Sequence, residues 1–142
     1  MRKDLVNNIH PVIAIAPVVV TDGTAQVSAA IDTLGFNSVT FVIGLGTLAD
    51  ADATWLVTVK EGDDSTQSNH TAVADDDLIG TEALAGFTFA DDGETRKIGY
   101  KGVKRYVSIE IDDDTANSGN APMTALCILG HPDYAPTANP PA

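Results

Sequence analysis

Three histidines, one cysteine and three runs of aspartate are the residues with the chemistry to ligate a metal or attack a substrate. Their spacing argues against both. His10, His70 and His131 are far apart, with neither an HExxH pair nor a Cys–His zinc spacing. Cys127 is alone and sits inside the apolar run Ala125–Leu129, where a cysteine behaves as a small buried hydrophobe rather than a nucleophile. Asp63-Asp64, Asp75-Asp76-Asp77 and Asp112-Asp113-Asp114 offer hard oxygens to a cation. None has the spaced acids, central glycine and closing glutamate of a calcium loop. They read as solvated loops, with an interfacial cation as the alternative. Gly44-Leu45-Gly46 lacks the third glycine and the following helix of a dinucleotide loop and reads as a hairpin turn. No serine lies in a GxSxG elbow. The sequence therefore predicts no enzyme, no metal and no cofactor.

A different chemistry, charge pairing, is concentrated between residues 95 and 131. Arg96, Lys97, Lys101, Lys104 and Arg105 are five of the eight basic residues in a chain of net charge −12. In so acidic a protein, this cluster could pair with the acidic loops of its own chain or, as a candidate intersubunit contact, with those of a neighbouring copy. The same acidity excludes broad binding to a nucleic-acid backbone, which needs a positive surface, even though Tyr100 and Tyr106 flank the cluster.

The elements that must carry these residues are strands. Val103, Arg105, Val107, Ile109 and Ile111 alternate with polar neighbours, the period of a half-buried strand. With the loop Asp112–Asn120 and the apolar run that follows, they predict a hairpin across residues 95–131. Further strands are predicted over Ala25–Ile31, over 36–43, over 53–61 with Trp55, Val57 and Val59 inward, and in short pieces at Thr71–Val73 and Gly86–Ala90. Leu56 leaves the other side of the 53–61 strand partly apolar, open to cover by another chain. Turn signals recur at short intervals, and no helix of ordinary length stands out. The prediction is an all-β fold, an antiparallel β-sandwich of jelly-roll or immunoglobulin-like type. At 142 residues it is one domain with a substantial core.

Both ends read as extended. Pro11 and Pro17 break any helix in residues 1–20, whose apolar pieces are too short for a membrane span and too interrupted for a secretion signal. This segment is predicted as an N-terminal arm, with edge strands where proline is tolerated. Residues 21–132 form the sandwich, and the proline-rich residues 133–142 an extended C-terminal tail.

The segments GYKGVKRYVSIEI (residues 99–111) and TALCILGHPDYAP (residues 124–136) carry a resemblance, supported by WLVTVKEGDDST (residues 55–66) and the opening RKDLVNNIHPVIAIAPVVV. Its strongest motif is Gly99, Tyr100, Gly102, Lys104, Arg105 and Tyr106. In these the chain resembles small capsid-associated virion proteins of tailed bacteriophages and gene transfer agents. The resemblance implies a head decoration (cement) protein or the base of a head spike or fibre, oligomeric and on the capsid exterior, assembled in the bacterial host cytoplasm. It implies the major capsid protein and neighbouring copies as partners, and a spike or fibre protein as a further one. No nucleic acid and no membrane are expected as partners. A tail or baseplate component and a carbohydrate- or host-binding sandwich module are the alternatives.

Overall fold

Alternation of apolar and polar residues sets most of the long strands, and their apolar sides meet in one core. The computed structural model describes residues 1–141. It contains β1 (Ile9–Val20), β2 (Gln26–Val27), β3 (Ile31–Asp32), β4 (Phe36–Leu45), β5 (Thr54–Gly62), β6 (Thr71–Ala72), β7 (Leu78–Ile79), β8 (Phe87–Thr88), β9 (Thr95–Tyr100), β10 (Tyr106–Asp113) and β11 (Ala121–Pro132). The one α-helix among the described residues is the single turn α1 (Glu82–Ala85). The strands form two antiparallel sheets. The first runs β1-β11-β4-β9-β7. In the second, β10 and β5 pair centrally, flanked by β2 and β3 on one side and β6 and β8 on the other. The fold is thus an all-β sandwich, as the sequence predicts.

The core lies between the sheets. The first sheet contributes Val39, Phe41 and Ile43 of β4, and Met123, Ala125, Cys127 and Leu129 of β11. The second contributes Trp55, Val57 and Val59 of β5, and Val107, Ile109 and Ile111 of β10. Trp55 stacks on Phe87 with ring centroids 6.0 Å apart. Burial pushes the Cys127 thiol up to about 12, which keeps it protonated and unreactive.

The expected hairpin does not form. β10 pairs with β5 in the second sheet, whereas β11 pairs with β1 and β4 in the first. The loop between them crosses from one sheet to the other. The reason is burial: each strand has a complete apolar side, and a sandwich buries both sides only when the strands face one another across the core. Asp113 holds the crossing, its carboxylate accepting from the Thr115 and Asn117 backbone N–H groups. Buried Asn117 donates in turn to the carbonyls of Asp22 and Gly119. Val103 and Arg105 also fall outside the expected strand, which begins at Tyr106, and Val103 is fully exposed.

Two other expectations change. Gly44-Leu45-Gly46 is not a hairpin turn: Gly44 pairs with Thr124 on one side and Thr95 on the other, inside the sheet. The chain then crosses to β5 in the second sheet. Residues 9–20 are extended, but as the edge strand β1 rather than a separate arm. Ile15 and Val20 are buried, and Val12, Ala14 and Val18 pack partly against the core. Two register shifts, between Ile13 and Ile15 and between Ile15 and Val18, keep Ile15 directed inward. The tail turns back onto this strand's start, with the Thr137 N–H donating to the Asn7 carbonyl at 3.0 Å and its hydroxyl to the Ile9 carbonyl at 2.6 Å.

Candidate interaction surface

The basic cluster is divided by the fold. Arg96 lies on the inward side of β9 and spans Asp91 (2.6 Å) and Glu94 (2.6 Å), while its Nε donates to the Gly86 carbonyl. Hydrogen bonding to Glu94, then to Asp91, raises its pKa. Lys104 pairs with Asp63 at 2.5 Å. Arg105 grips Asp32 by two hydrogen bonds of 2.9 and 2.7 Å and lies over the Tyr106 ring, 5.1 Å from its centroid. Three of the five cations are therefore neutralised within the chain. Lys97 and Lys101 are exposed and make no ion pair among the described residues. The five do not converge on one surface.

The motif at residues 99–106 is explained by packing. A side chain on Gly102 would meet the Tyr100 ring and hydroxyl at about 2.5 Å. The Tyr100 hydroxyl donates to Glu61 at 2.5 Å and accepts from the Lys104 N–H at 2.9 Å. Burial, with the Glu61 bond second, raises the Tyr100 pKa. Gly99 makes room for Ile79, which would sit 3.0 Å from an added Cβ. These residues fix the 101–105 loop.

The acidic runs are largely occupied by local hydrogen bonds. Asp64 accepts from the Thr66 N–H and the Asn69 amide, and these bonds lower its pKa. Asp113 holds the crossing loop, Asp63 pairs with Lys104, and Asp75–Asp77 form a single exposed helical turn. No group of three or more His, Cys, Asp or Glu side chains is gathered into a ligand set among the described residues. His70 is buried, its Nδ1 2.9 Å from the Ser108 hydroxyl and its Nε2 3.0 Å from the Asp64 carbonyl. The carbonyl can only accept, so Nε2 carries the proton and Ser108 donates to Nδ1. Ser108 has no solvent exposure, so this pair ties a loop to β10 and meets no substrate.

What sequence reading did not isolate is the outer face of the first sheet. The register aligns its outward residues in rows. Pro11, Ile128, Thr40 and Gly99 form one, with Ile79 beside Gly99. Ile13, Leu126, Val42 and Lys97 form the next. Thr124, Gly44 and Thr95 follow, then Val19 and Pro122. Lys97 is the only charged residue in these rows, and no carboxylate is present. Near Gly44 and Gly46, which lack side chains, the face dips into a groove of about 480 Å³ lined also by Val19, Pro122, Thr124 and Glu94, whose carboxylate is paired with Arg96. The outward side of the second sheet differs: it carries the Lys60–Glu110 ion pair and Asp112. A large exposed apolar area of this kind marks a contact surface. In the sequence each outward position is separated from the next by a core residue. The pattern emerges only when β1, β11, β4 and β9 are placed side by side.

No protein-family model and no curated protein matches the chain. Among solved structures, 87% of the chain is similar to a structure of infectious bursal disease virus, Gx strain, at TM-score 0.50 and 14% identity. The chain spans 32% of that viral chain. Weaker likenesses, at 10% identity, are to xylanase 10C of Cellvibrio japonicus (TM-score 0.48; 92% of this chain, 28% of that one) and to the capsid of Ralstonia phage GP4 (0.45; 92% and 89%). At these identities the likeness is one of fold alone: a β-sandwich.

Proposed function

We propose that this chain is a structural virion protein that attaches to the exterior of a bacteriophage or gene-transfer-agent capsid, as a head decoration protein or the base of a head spike. The observation that carries this reading is the outer face of the first sheet, a largely apolar surface whose strand rows hold no carboxylate, on a chain of net charge −12. Such a surface works by burial against protein, and repetition on a lattice multiplies a weak single contact. The fold likeness to a structure of infectious bursal disease virus and the resemblance at residues 99–111 and 124–136 support the virion setting. The partners are the major capsid protein and neighbouring copies. A glycan-binding role is less well supported: Trp55 and Tyr100 are buried in the core, away from any stacking platform.

Purified protein added to capsids that lack it should sediment with them and appear as ordered density on the outer surface by cryo-electron microscopy. Failure to bind overturns the decoration reading, and density on the tail moves the protein to the tail or baseplate.

A further inference from the structure

We propose that the outer face of the first sheet is covered by a second copy of this chain, in a two-fold, sheet-on-sheet contact centred on Leu126 and Val42. This rests on the reading of that face as the protein's contact surface and names its occupant. The first argument is charge. A chain of net charge −12 repels its own copies, yet the rows of this face carry no carboxylate, only Lys97 at the β9 side, and the Glu94 carboxylate that lines its groove is paired with Arg96. Joined here, two copies keep their acids at the rim and beyond. Joined through the second sheet, they would set Glu110 and Asp112 against their counterparts. A two-fold contact must be self-complementary, and a face that is apolar but for Lys97 meets that condition without needing opposite charges on its partner.

The second argument is extent. Four strands at about 4.8 Å spacing and nine residues at about 3.3 Å each give a face of roughly 600 Å². Two copies then bury roughly 1,200 Å², the lower bound for a specific, stable interface. The third is shape. Outward residues are mostly small or branched, with Gly44 among them, so two sheets can approach to the usual ~10 Å at a crossing near 30°. Leu126, 36% exposed at the centre of the middle rows, then meets its own copy. Lys97 lies off centre, and its long stem reaches water at the margin.

Sedimentation equilibrium on the full chain tests this, alongside Leu126→Glu and Val42→Glu. The expected result is a wild-type dimer and monomeric variants that keep the wild-type circular dichroism spectrum. Leu126→Cys supplies a reading that does not depend on breaking the contact: under oxidation it should yield disulfide-linked dimers, since Cys127 is buried. A wild-type monomer at concentrations up to about 0.1 mM, a trimer, a dimer that survives both glutamate variants, or absence of the cross-link overturns the proposal. Capsid binding measured in parallel separates the two readings. A monomer that binds capsids places the capsid protein on this face and sinks the dimer alone. A dimer that ignores capsids leaves the two-fold contact standing and removes the virion role.

Discussion

Arg105 and Asp32 show how the charged residues of this chain are spent locally. The guanidinium holds the Asp32 carboxyl below its ordinary value of 3.8, chiefly by hydrogen bonding. A depressed carboxylate pKa stabilises the fold above the unfolded value, and that stabilisation is lost as pH falls through the folded one. Arg105→Ala should therefore lower the urea midpoint at neutral pH, with the deficit against wild type fading below about pH 3.8 and vanishing in stronger acid. Both side chains are more than two-fifths exposed, so solvent screening keeps the effect small. A deficit that persists undiminished in strong acid would assign the loss to packing on Tyr106 instead. The five cations were read as a candidate contact with a neighbouring copy, with pairing inside the chain as the alternative. Sequence proximity suggested it, but strand geometry sends neighbouring residues to opposite sides, and three of the five find carboxylates in their own chain.

At the scale of elements, β1 matters more than its proline-interrupted sequence suggests. It fully buries Ile15 and Val20 and covers the β11 edge. At about 1.5–3 kcal/mol for each fully buried side chain, these two alone approach the lower end of the about 5–15 kcal/mol that stabilises a domain. Removing residues 1–20 should abolish cooperative melting and produce aggregates, because β11 becomes an exposed edge rich in branched residues. Removing the chain from Asp133 onward should shift the melting temperature by only a few degrees, since the tail's attachment includes the two Thr137 bonds to Asn7 and Ile9. A soluble, cooperatively folding protein without residues 1–20 would return that segment to the status of an arm.

For the whole molecule, the separation of a largely apolar face from an acidic remainder sets the response to salt. If the basic cluster joined copies to acidic loops, association would weaken as ions screen the attraction. Burial of the apolar face between chains of −12 predicts the reverse. Between about 0.05 and 0.5 M salt the Debye length falls severalfold, repulsion between copies is screened, and the dimer dissociation constant should drop. Sedimentation across that range decides between the two, and weakening with salt would restore the cluster as the contact.

Composition and period-two alternation were enough to establish an all-β sandwich, the inward residues of β4, β5 and β10, the burial of Cys127 and Trp55, and the lack of any ordinary helix. These are local properties: which side of a strand is apolar is written in its own residues. Pairing is not local. That β10 and β11 face each other across the core instead of forming a hairpin follows from the need to bury two complete apolar sides. The candidate contact face depends on pairing in turn. Ile13, Leu126 and Val42 are far apart in the chain and become neighbours only through the register of β1, β11 and β4. The alternation in each strand determined which residues point outward, and the order of the strands decided that those residues form one largely apolar surface.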